Sequence, residues 1–200
     1  MLSNKLYVLA LLFLLGCNSS ENKKEEGLQP NSMVVHYPVS QDSLLLDKSN
    51  GIIYYHNQPF TGNAIIKYDN DLLAISIDYI DGRKDGLYKK FFPNGELSFE
   101  AHYSNGKQNG KNRTWWSNGN LRTESNFVEG VPDGVQLQYY KTGQLFKKMY
   151  LAMGKEEGLQ QSWRENGKIY NNYEAKNGKI FGLKRANLCF ELEGEEVVLD

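Results

Sequence analysis

The side chains in this sequence able to do chemistry are few, and their spacing decides what they can do. His36, His56 and His102 are the three histidines. Imidazole binds metal or moves protons only beside suitably spaced ligands or partners, and none of the three stands at a ligand spacing from cysteine or carboxylate. Asp81 and Asp85 suggest a calcium loop, but the equivalent positions downstream carry Asn105 and Asn109, Glu129 and Asp133, then Met153 and Glu157. A repeated cation site would keep its oxygen ligands, so these residues read as turn formers. No serine sits in a nucleophile elbow, and no glycine run opens a helix to hold phosphate. The expectation is a protein without enzymatic activity, cofactor or metal. The remaining chemistry is stacking: Trp115, Trp116, Trp163 and the tyrosines offer ring faces to a glycan, a peptide or a base.

The two cysteines differ in context. Lys5 precedes an apolar run from Leu6 to Leu15 that ends in Gly16-Cys17. The run is too short for a mature membrane span, which needs about 20 residues, and fits the core of a secretory signal. "LLGC" resembles the bacterial lipoprotein signal box, which implies cleavage before Cys17 and acylation of its sulfur. Each acyl CH₂ buried in a bilayer contributes about 0.8 kcal/mol, so several chains anchor firmly. Residues 18–32, polar and without aromatics, read as a flexible tether. Cys189, in "NLCFEL", reads as a buried structural thiol with no second cysteine left to pair with.

The elements that must hold the aromatic residues follow from composition and period. The chain has 200 residues, 40% hydrophobic and 24% charged, with a formal net charge of −1. That length suits one modest domain, and the charge lacks the basic footprint of a nucleic-acid binder. Gly86, Gly110, Gly134, Gly158 and Gly182 recur every 24 residues. Gly82 begins a second such series and Gly95 a third. Phe91, Trp115, Tyr139 and Trp163 share one position of the period, and Phe92, Trp116 and Tyr140 share the next, where Arg164 ends the series. Each unit holds two short aromatic-rich runs bounded by glycine, which is strand-turn-strand chemistry.

The central turns read "PNG", "SNG", "KTG" and "ENG". A two-residue turn would put Thr142 at positive φ, which its branched side chain resists, so a three-residue turn with left-handed glycine is expected. That turn predicts the pairs Phe92–Glu96, Phe91–Leu97, Lys89–Phe99 and Leu87–Ala101. Phe91, Leu97 and Ala101 would then share the more buried face. Phe92 would lie on a wetter face with Lys90, Thr114, Gln138 and Ser162.

The segments "GLYKKFFPNGEL", "GKNRTWWSNGNL" and "GVQLQYYKTGQL" resemble the bacterial MORN-type repeat. "GLQQSWRENGKI" follows with one ring replaced, and "GNAIIKYDNDLL" departs at Lys67 and Asp71. The resemblance implies an all-β fold, an elongated antiparallel meander of stacked β-hairpins, compatible with a single twisted layer. It implies no catalytic activity, since members are described as repeat, membrane-associated or antitoxin-like proteins.

The expected organisation is a signal peptide over 1–16, a tether over 17–32 and an N-terminal cap over 33–54. Repeats over 55–182 and a capping hairpin over 183–200 complete it. The expected function is an extracytoplasmic, lipid-anchored binding or scaffold module, in the outer membrane of a two-membrane cell. The alternative is an antitoxin or immunity protein directed at one toxin. Phe92, Trp116, Tyr140 and Arg164 form the candidate contact surface, with Arg113, Arg122, Lys147 and Lys148 nearby in sequence. Partners are the membrane, through the acyl anchor, and a protein, peptide or polysaccharide, not nucleic acid.

Overall fold

The protein is described by a computed structural model covering residues 33–34 and 37–183. The tether, Cys17, His36, Cys189 and the closing segment after Leu183 lie outside the described residues. Two-residue strands β1 (Met33–Val34) and β2 (Val39–Ser40) precede a 3₁₀ turn at Gln41–Ser43. Then come β3 (Leu45–Asp47), β4 (Ile52–Tyr55), β5 (Gln58–Lys67), β6 (Leu73–Ile80), β7 (Arg83–Phe91) and β8 (Leu97–Ser104). The series continues with β9 (Lys107–Trp115), β10 (Leu121–Val128), β11 (Val131–Tyr139) and β12 (Leu145–Ala152). It closes with β13 (Lys155–Glu156), β14 (Gly158–Trp163), β15 (Ile169–Lys176) and β16 (Lys179–Leu183). From β3 onward successive strands pair antiparallel in one open sheet, with β13 as a side branch on β12. β1 and β2 lie parallel to β5. The all-β meander expected from the repeats is the fold.

Two turn types alternate along the sheet. At the central turns Phe92 N–H donates to Glu96 O at 2.7 Å and Gly95 N–H to Phe92 O at 2.8 Å, with Gly95 at φ 85°. Gly119, Gly143 and Gly167 repeat this, and Thr142 is spared a positive φ. The three-residue turn therefore forms. In the first unit Asp71 takes the glycine's place at φ 65°. The opposite margin uses two-residue turns with both residues left-handed, such as Asp81 (φ 49°) with Gly82 (φ 74°).

The expected register holds for Phe92–Glu96 and Phe91–Leu97 and then fails. Phe91 faces Leu97, but Lys90 pairs with Phe99, Lys89 with Glu100 and Tyr88 with Ala101. Ser98 is an extra residue, a β-bulge, and it moves every later side chain of β8 to the other face. The bulge recurs at Ala74, Arg122, Phe146 and Tyr170. Ala101 thus lies with Tyr88 and Lys90, not with Phe91. Its face, expected to be the wetter one, carries the most buried residues, Ser162 among them.

Several of them fall in a row across the strands, interleaved with the half-buried Tyr88, Ser125 and Met149: Val39, Ala64, Ile77, Tyr88, Ala101, Asn112, Ser125, Gln136 and Met149 are successive partners. Gln160 and Tyr173 pair with each other further along. Small members are covered by taller neighbours: Ala101 has no exposed area and sits between Tyr88 and Asn112. At the N-terminal end Phe60 and Tyr79 join Val39, Ala64 and Ile77 in an apolar core. Burying a ring such as Phe60, 1% exposed, contributes about 1.5–3 kcal/mol.

Candidate functional site

Tyr68, Phe92, Trp116, Tyr140 and Arg164 occupy one repeat position, each next to a three-residue turn, so they form a column along one margin of the sheet. Successive members stand two strands apart, about 10 Å. All four sequence-predicted contact residues therefore come together in order. The column is also structural. Tyr68 Oη donates to Phe91 O at 2.7 Å, Trp116 Nε1 to Tyr139 O at 3.2 Å, and Tyr140 Oη to Trp163 O at 2.9 Å. Each polar tip ties its unit to the backbone of the next. The Arg122 guanidinium covers the Trp116 ring at 4.6 Å, and the Tyr140 ring lies 5.0 Å from Phe146. Burial raises the Tyr140 phenol above its ordinary range. With the tips engaged, the column offers ring faces and the Arg164 cation, a chemistry of stacking rather than hydrogen bonding.

The cations expected beside this surface are dispersed by the bulge. Arg113 lies in a row with Glu100, Glu124 and Leu137 on the face opposite the buried row, and Lys148 continues it. Lys147 faces the other way, opposite Gln138. Only Arg122 reaches the column. Arg113 Nε donates to Glu124 Oε2 at 2.7 Å and Lys111 Nζ to Glu124 Oε1 at 2.9 Å. Those two bonds hold the Glu124 carboxyl below the usual range.

The carboxylates read as turn formers divide into two roles. Asp81 and its equivalents sit in the left-handed turns. Asp85 Oδ2 accepts the Asn105 N–H at 2.9 Å, Asp133 Oδ1 the Met153 N–H at 2.9 Å, and Glu157 Oε2 the Asn177 N–H at 3.3 Å. Thr61 Oγ1 does the same for Asp81. These are staples between units that the sequence reading missed. The signal was present as short acceptors recurring at 61, 85, 109, 133 and 157. His56 packs on Tyr55 at 4.1 Å, and His102 Nδ1 lies 3.3 Å from Lys111 O. Among the described residues no group of three or more His, Cys, Asp or Glu is placed to hold a metal.

An open meander of hairpins in fixed register, stapled unit to unit by side chains, defines an antiparallel β-repeat protein. The family described as MORN repeat variant matches residues 84–105, 108–129 and 132–151. Residues 84–151 thus carry three consecutive matches to that repeat, and the β5–β6 and β14–β15 hairpins continue their geometry on either side. No curated protein matches the chain.

Proposed function

We propose that this chain is a lipid-anchored envelope protein whose repeat sheet acts as a non-enzymatic binding or scaffold module. The binding half rests on one observation: ring side chains recur along one margin at about 10 Å intervals, and Tyr68, Trp116 and Tyr140 are held by hydrogen bonds into the next unit. A pre-ordered ladder of rings loses little conformational entropy on contact, which suits an extended protein, peptide or polysaccharide partner. The anchoring half rests on Lys5, the apolar run and Cys17.

Crosslinking capture from native envelopes tests the first half. Trp116→Leu should reduce capture strongly, whereas Tyr140→Phe, which keeps the ring and loses one donor, should preserve it. Equal capture by Trp116→Leu would remove the column from consideration. Labelled fatty acid tests the second half: incorporation should depend on Cys17 and vanish in Cys17→Ser. A wild-type protein recovered unlabelled from the soluble fraction would end the anchor reading.

A further inference from the structure

A cavity of about 520 Å³, within the range of small-molecule sites, opens at the N-terminal end of the buried row, with no residue of the ring column in its lining. Ile53, Ile66, Ile75, Ile77, Tyr79 and Tyr88 supply an apolar lining. Arg83 and Lys84 supply the charge, and no carboxylate lines it among the described residues. Lys84 Nζ sits 4.9 Å from the centre of the Tyr88 ring and 5.2 Å from that of Tyr103. Lys90 Nζ stands over the same Tyr88 ring at 5.3 Å and over Phe99 at 5.6 Å. Two like charges therefore converge on one ring, and neither makes an ion pair among the described residues. On the opposite face the arrangement is reversed, with Lys89 paired to Glu100 and Arg113 to Glu124. Burial, then the neighbouring Lys90, lowers the Lys84 ammonium below the ordinary lysine range.

Ring faces attract an ammonium, but they carry no net charge and leave the excess uncompensated. A partly desolvated cation beside an apolar lining is complementary to a small anion with an apolar body. We propose that this cavity binds a free aryl or alkyl carboxylate, its carboxylate on Lys84 and its apolar body on the isoleucines. Lys90, across the Tyr88 ring, adds to the field without lining the cavity. The proposal is independent of the anchored-scaffold reading.

The test uses the full chain in neutral detergent, with 3-phenylpropionate and its uncharged analogue 3-phenylpropanol as probes. Isoleucine methyl NMR shifts report binding at Ile75 and Ile77. The acid should bind roughly tenfold more tightly than the alcohol, as expected for one partly desolvated charge pair. Lys84→Met should abolish that preference while leaving the alcohol's affinity unchanged, and it controls for probe entering the micelle. If the lysine only covers the rings, Lys84→Met lowers the melting temperature and the two probes bind alike in the wild type. That result, no methyl shift with either probe, or an unchanged preference in Lys84→Met each overturns the proposal.

Discussion

The two ends of the buried row use the same backbone positions and opposite chemistry. Toward the N-terminus the row is Ala64, Ile77, Tyr88 and Ala101, backed by Phe60 and Tyr79. Toward the C-terminus the equivalent places hold Asn112, Gln136 and Gln160, all buried. Gln136 and Gln160 serve the backbone. Pairing skips Asn126 where β10 and β11 shift register, and Gln136 Nε2 donates to the Asn126 carbonyl at 3.0 Å. Gln160 Nε2 donates to Tyr150 O at 2.7 Å. A buried carbonyl without a partner costs about 1–3 kcal/mol, so an amide can hold a unit together where an apolar side chain could not. The apolar end relies on area removed from water. This repeat therefore constrains geometry strictly and composition loosely.

The apolar end carries the largest expected effect. Phe60→Ala should cost about 3–5 kcal/mol in denaturant melts, because the site is enclosed; a loss near zero would mean the N-terminal core is not what anchors the sheet. A sharper contrast uses one turn position in two units. A Cβ at Gly82 would approach Ile53 O within 2.6 Å and collide with the Ile52 side chain, whereas Gly106 has nothing within 4 Å. Both glycines have positive φ, 74° and 81°. Gly106→Ala should therefore cost about 1–2 kcal/mol of backbone strain, and Gly82→Ala clearly more. Equal losses would show that strain alone governs the turns.

At the amide end, Gln136→Leu keeps the volume and deletes the donor, for an expected loss of about 1–3 kcal/mol. Stabilisation instead would show that the amide is dispensable. The same end should respond to alkali. Burial and the hydrogen bonds to Glu156 push the Tyr173 phenol from 10.0 up to about 12. The neutral form is favoured in the folded chain, so this contribution is whole below pH 10 and disappears as pH rises through about 12. Tyr173→Phe should flatten that part of the stability profile. The smallest effect is a gain. Met153 holds φ 50° with 74% of its surface exposed. Met153→Asn suits that left-handed position better and should add a few tenths to about 1 kcal/mol.

Much of the candidate site was legible. The period placed Phe92, Trp116, Tyr140 and Arg164 in one column before any coordinates. The use of Trp116 and Tyr140 as ties to the next unit was not legible, because their acceptors are main-chain carbonyls that every residue type presents. Lys84 and Lys90 were missed as well. Alternation puts both on the Tyr88 face, but only the packed rings and the lack of a paired carboxylate among the described residues distinguish them from ordinary strand lysines.

By itself the sequence determined the period, the three-residue central turns and the all-β meander. Left-handed backbone demands glycine or a close substitute, and that demand is written at Gly82, Gly95 and their repeats. Tertiary structure alone decided which face is buried. The bulge that reverses the strands falls on Ala74, Ser98, Arg122, Phe146 and Tyr170, which share no chemistry. A bulge is set by how neighbouring strands meet, and one extra residue is enough to exchange the two faces of the sheet.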